Sequence, residues 1–116
     1  MFGDRGMKQI NKMVFGGIEL PPDMEEFMEL VGRHFRPLIE PVPVFGDEEL
    51  LRLQMPIQLY AGSKDMLLRS KASVQRLVKI LPHAETHLLQ DCGHAILGKT
   101  DEILCFLVKS SAATAD

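Results

Sequence analysis

The stretch from Met55 to Leu97 reads MPIQLYAGSKDMLLRSKASVQRLVKILPHAETHLLQDCGHAIL. Its opening, "PIQLYAG", is a short apolar run closed by Gly62, the pattern of a buried strand. "SKDMLLRS" is a polar-then-apolar loop. Val74, Leu77, Val78 and Leu81 then recur on one helical face until Pro82 stops them. "AETHLLQD" predicts a second strand, although its alternation is poor, and "CGHAILGK" a loop. Thr100 can cap a last helix, with Asp101 and Glu102 well placed in its first turn and Ile103, Leu104, Phe106, Leu107 and Val108 as its apolar residues. A strand–helix–strand unit usually forms a right-handed parallel crossover. Parallel strands are normally buried on both faces. Two of them do not make a stable sheet alone, so something is missing from the chain or another chain supplies it.

Upstream, Met7, Ile10, Met13 and Val14 share one side of a weak helical pattern that "GGIELPP" breaks. Asp23 stands three before Glu26, a capping-box-like start. Met24, Phe27, Met28, Val31 and Phe35 follow at helical spacing, and Pro37 ends that helix near Arg36. "RPLIEPVPVFGD" is an extended, proline-rich connector, after which Asp47 can cap a short helix carrying Leu50, Leu51 and Leu53. "SSAATAD" is a small, polar tail expected to fray. There is no internal repeat.

The chain has 116 residues, room for one small domain. It is 46% hydrophobic and 25% charged, ordinary values for a globular protein. A net charge of −3 with no basic run argues against a nucleic-acid partner. No apolar stretch reaches the ~20 residues of a membrane span. The N-terminus lacks the build of a signal peptide. Two cysteines, Cys92 and Cys105, do not make a disulfide framework. A cytoplasmic protein with reduced thiols is expected. Four of seven methionines fall at Met7, Met13, Met24 and Met28, as core filling or as the pliable wall of a ligand site.

Three groups of residues could carry chemistry. His83, His87, Cys92 and His94 are possible metal ligands. Pro82 puts His83 and His87 beyond the helix, and four positions along a strand separate them by about 13 Å, too far to share an ion. No metal or other cofactor is expected. Cys92 could be a nucleophile with His94 as base, although such bases usually come from elsewhere in the sequence; a small cysteine in a strand-end turn is the simpler reading. Asp65 lies just beyond the first strand and His94 just beyond the second. In a shared parallel sheet both emerge at the carboxyl edge, where open α/β sheets build their sites. There the acid could accept a proton from His94 Nδ1 and fix its tautomer. Chemistry alone leaves this even with two unrelated polar loop residues.

As a combination, the Pro56-led strand, the turn "GSKD" (Gly62–Asp65), "LPHA" (Leu81–Ala84) and "DCGH" (Asp91–His94) resemble the C-terminal part of the α/β-hydrolase fold. The resemblance covers about residues 47–109. It implies an α/β class, with a C-terminal β-α-β-α portion of a parallel sheet preceded by cap-like helices. It matches Asp65 to the triad acid and His94, 29 positions on, to the triad base. Gly93 would let the backbone turn with φ > 0 and aim His94 at Asp65. The departure is the nucleophile. Gly-x-Ser-x-Gly is absent, since no two glycines stand four apart, and Ser63 reads as a residue of the acid's own turn. The HGGG-type oxyanion motif is absent too.

Residues 1–46 then resemble the end of a cap, with Met24, Phe27, Met28 and Val31 facing a substrate pocket, and residues 110–116 a flexible tail. The implied function is the acid–base part of a serine-type hydrolase of ester-like small molecules, inactive without the nucleophile. The alternative is a non-catalytic, self-associating interaction module. Either way the uncovered apolar faces of the sheet and cap are expected to drive homo-oligomerisation.

Overall fold

Two five-residue strands, β1 (Gln58–Gly62) and β2 (Glu85–Leu89), pair in parallel at the centre of the chain. The computed structural model describes residues 4–36 and 40–114. Three helices precede the strands: α1 (Asp4–Phe15), α2 (Pro22–His34) and the single turn α3 (Asp47–Leu50). Helix α4 (Ser70–Ile80) connects β1 to β2 and packs on both. Helix α5 (Thr100–Thr114) follows. The strand–helix–strand reading of Met55–Leu97 therefore describes the fold: α/β, with a partial parallel sheet preceded by helices.

The register pairs Gln58 with Glu85, Tyr60 with His87 and Gly62 with Leu89. Side chains alternate along a strand. Leu59 and Ala61 therefore share one face with Thr86 and Leu88. Leu59 and Ala61 line a pocket together with Ser73 of α4. The other face departs from the expectation of two apolar sides. Gln58 Nε2 donates to Glu85 Oε1 at 2.8 Å, His87 Nε2 lies 2.6 Å from the same oxygen, and the Tyr60 and His87 rings stack at 4.5 Å. Glu85 is exposed, so water shares in solvating this polar face. Glu85 is held below its ordinary pKa first by Gln58, then by His87, with Lys109 adding to the effect.

Several helix boundaries differ from the sequence reading. Pro22 occupies the first helical position of α2, which its fixed φ suits, so Asp23 falls inside the first turn and caps nothing. Gly46 is the N-cap of α3, and Glu49 Oε2 accepts from its N–H at 2.7 Å. Asp47, displaced from the cap, accepts instead from Arg76 Nε and Nη2 of α4 at 3.0 and 2.6 Å. Helix α1 begins at Asp4, earlier than the periodic residues require; the Met7 side chain lies outside the described residues. So does Pro37, expected to stop α2. Residues 110–114, read as frayed tail, continue α5. Ala112 and Ala113 are strong helix formers, and Ser111 Oγ donates back to the Leu107 carbonyl at 2.9 Å. Residues 115 and 116 lie outside the described residues.

The core is thin. Among the described residues the buried hydrophobic side chains are Phe15, Ile80 and Leu81, while eighteen large hydrophobic residues are exposed. The accessible surface is 9654 Å². A compact 13.0 kDa chain exposes about 6,300 Å². The radius of gyration of 17.0 Å likewise exceeds the ~13 Å expected of a compact chain of this length.

Where the chain is tight, it is tight through glycine. A Cβ on Gly62 would collide with the Gly93 and Cys92 carbonyl oxygens. A Cβ on Gly93 would stand 2.5 Å from Gly16 N and 2.6 Å from the Phe15 carbonyl carbon. Three backbones are thus stacked in contact: the end of β1, the loop after β2 and the end of α1. Ala95 N donates to Val14 O at 2.8 Å beside them. Since the obstructing atoms are backbone, neither Gly62→Ala nor Gly93→Ala can be relieved by a side-chain rotation. Each is expected to destabilise by at least the ~1–3 kcal/mol of ordinary overpacking. In thermal melts followed by circular dichroism, Gly98→Ala, which meets no atom within 4 Å but sits at φ +70°, should cost less.

Candidate active site

The carboxyl ends of β1 and β2 bring Asp65 and His94 together. The chain leaves β1 in a turn in which Ser63 N donates to Leu89 O at 2.8 Å and Lys64 N to Cys92 O at 2.9 Å. The acid's turn is thereby tied to the end of β2 and the loop beyond it. Asp65 Oδ1 accepts from the backbone N–H groups of Leu67 and Leu68 at 2.8 and 2.9 Å. Its other oxygen, Oδ2, takes the Ser70 hydroxyl at 3.3 Å and lies 2.9 Å from His94 Nδ1. Both carboxylate oxygens are thus committed, which fixes the plane of the group.

Exposure divides the pair. The Asp65 side chain is 4% exposed and that of His94 40%. Burial pushes the Asp65 carboxyl up, but the hydrogen bonds from His94, Leu68 and Leu67 outweigh it and hold the group below its ordinary value. An ionised carboxylate only accepts hydrogen bonds. His94 Nδ1–H is therefore the donor, and in the neutral ring Nε2 keeps the free lone pair. The acid orients the ring, whose remaining edge is open to solvent.

A pocket of about 140 Å³ adjoins the pair, lined by Leu59, Tyr60, Leu68 and Ser73 among others, with Asp65 and His94 in its wall. A larger trough of about 520 Å³ lies at the other end of β1, along Pro56, Ile80, Leu81 and Pro82. His83 is its one titratable lining residue, and its Nε2 lies 3.2 Å from Met55 O, so no chemistry converges there.

The remaining candidates are scattered. His87 sits under Tyr60 on the polar sheet face, and His83 at the trough. Cys92 Sγ points to Ala95 O at 3.9 Å. Among the described residues no three His, Cys, Asp or Glu side chains gather as metal ligands. Ser63 Oγ accepts from Asp91 N at 3.0 Å. Met24, Met28 and Val31 are half-buried on α2 and Phe27 is exposed; none of the four lines the pocket beside the pair. Gly93, expected at φ > 0, is absent from the left-handed residues; Asp91 takes that conformation instead, at φ 56°. Close approach, not a left-handed turn, is what requires glycine at 93. Sequence reading missed Asp91 and the buttress at Gly16, because contacts between residues distant along the chain carry no local pattern.

The strand–helix–strand unit and the helices around it share the fold of the C-terminal portion of solved α/β-hydrolase structures. A Bacillus subtilis protein described as a hydrolase superposes with a TM-score of 0.69 at 17% identity, over 92% of this chain and 41% of its own. The carboxylesterase CesB of Bacillus subtilis superposes with a TM-score of 0.67 at 23% identity, over 93% of this chain and 41% of its own. This chain thus spans about two fifths of the length of the two structures. No protein-family model matches it, and neither does any curated protein. Among the described residues no helix is long and apolar enough to cross a membrane.

The depressed Asp65 pKa has a definite sign. Its folded value lies below the ordinary 3.8, so the pair's contribution is fully present above that pH and is lost as pH falls through the folded value. A carbon-13 titration of the Asp65 carboxyl should give a midpoint below 3.8. In His94→Ala, with burial retained and the main opposing hydrogen bond gone, the midpoint should rise.

Proposed function

We propose that this chain is the C-terminal, acid–base portion of a serine-type α/β-hydrolase that acts on ester-like small molecules. The observation that carries the reading is the 2.9 Å contact between His94 Nδ1 and a buried, ionised Asp65 at the carboxyl edge of a parallel sheet. In such a site His94 Nε2 takes the proton of a serine hydroxyl as its oxygen attacks the ester carbonyl. The imidazolium, stabilised by Asp65, then protonates the leaving alcohol. In the second half His94 deprotonates water, which attacks the acyl-serine, and returns the proton to the serine.

The 116 residues contain no nucleophile elbow, and Ser63 Oγ is engaged by Asp91 N. The serine and the oxyanion donors must come from polypeptide outside this sequence. Loss of one triad member alone costs several orders of magnitude in rate, so the isolated chain is inactive. Residues 1–46 form the cap-like part, with Met24, Phe27, Met28 and Val31 walling the substrate pocket once the fold is complete. The unburied apolar face of α2 supports that role.

The excess surface favours a second reading as well. About 3,300 Å² more is exposed than in a compact chain of this mass, the scale buried in obligate interfaces. Without its complement, the chain self-associates through the uncovered sheet and helix faces, as a non-catalytic module would.

Two measurements test these statements. The purified chain should hydrolyse p-nitrophenyl butyrate no faster than buffer and take no label from a fluorophosphonate probe; a rate abolished in His94→Ala would overturn the inactivity. Sedimentation velocity at micromolar concentration should show dimers or larger species. A monomer that binds no apolar dye would rule out self-association.

A further inference from the structure

We infer that Asp91 is a positioning residue for His94, held in the left-handed conformation by the turn that carries Asp65. The inference rests on the acid–base reading of the pair. Asp91 is the one non-glycine with positive φ among the described residues, at 56°. Such a conformation is disfavoured for any residue with a Cβ, and least so for Asn and Asp. Residues kept there against the local preference are held by their surroundings, and they gather at functional sites.

Here the surroundings are the acid's turn. Asp91 N donates to Ser63 Oγ at 3.0 Å, and Asp91 Oδ1 meets Lys64 Nζ at 2.7 Å. One residue further on, Lys64 N donates to Cys92 O at 2.9 Å. Ser63 and Lys64 directly precede Asp65, and Asp91 stands three before His94. The two loops are therefore stapled just upstream of the two functional side chains. Beyond the staple, Gly93 is pressed between Gly62 and Gly16, so the backbone has little freedom left before His94. The left-handed step at Asp91 directs the chain into that slot. The Lys64 ion pair, largely solvated, contributes little by itself. The φ value and the Ser63 hydrogen bond are what matter.

The test reads the His94 ring directly, by nitrogen-15 and proton NMR of the chain with labelled histidine. In the wild type the His94 Nδ1 proton should give a downfield, exchange-protected signal that moves upfield in Asp65→Asn, where the acceptor is neutral. If the wild type lacks this signal, or Asp65→Asn leaves it in place, the acid–base reading fails. Given the signal, Asp91→Gly and Asp91→Asn, which tolerate positive φ, should keep it, and Asp91→Val, whose branched Cβ does not, should lose it while the far-ultraviolet spectrum is unchanged. Ser63→Ala should weaken the signal and Ser63→Thr restore it. These serine variants decide the matter if Asp91→Val does not fold. A His94 signal indifferent to Asp91→Val, or to Ser63→Ala, overturns the positioning role.

Discussion

Three backbones meet with no side chain between them, and the arrangement of the site follows from that contact. Gly62 ends β1, Gly93 lies in the loop after β2, and Gly16 follows α1. Because these backbones lie in close contact, the acid's turn and the histidine's loop cannot separate without opening that contact. Hydrogen bonds alone would hold them less firmly, since each contributes only about 0.5–1.5 kcal/mol net in exchange with water. Absence of Cβ atoms permits the close approach, and the hydrogen bonds from Ser63 N and Lys64 N fix its position.

The division of labour between Asp65 and His94 has the same origin. The turn after Asp65 folds back so that its own N–H groups bind the carboxylate. A buried charge is tolerable only when its lone pairs are satisfied, and here four donors surround it. The histidine has one partner and an open side. One loop buries and fixes its carboxylate, the other presents a partly exposed ring. Away from these contacts, much of the apolar surface of α2 and α5 is exposed.

Much of this was legible in the residues. The strand ending at Gly62, the helix stopped by Pro82 and the second strand are punctuated by residues whose backbone preferences are strong, so their order and type could be read directly. Asp65 and His94 were legible because each follows a strand end. Helix starts were less so. Asp23 and Asp47 are good capping residues, but Pro22 and Gly46 beside them had prior claims on the boundary positions, one through its fixed φ and the other through its bond with Glu49. The α5 extension through Ala112 and Ala113 was obscured by the serines around them. The polar sheet face, the left-handed Asp91 and the buttress at Gly16 had no local signature. Each depends on what a residue meets across the fold.

The polar face has a meaning beyond its chemistry. Gln58 against Glu85 and Tyr60 against His87 are two complementary cross-strand pairs in succession. Sliding β2 by one residue would turn His87 and Glu85 to the opposite side and break both. It would also carry His94 along the strand direction by about 3.3 Å relative to Asp65, more than the length of their hydrogen bond. In a two-stranded sheet with no further neighbours, these pairs act as a vernier. They favour the alignment of β2 in which His94 Nδ1 lies within hydrogen-bond distance of Asp65 Oδ2.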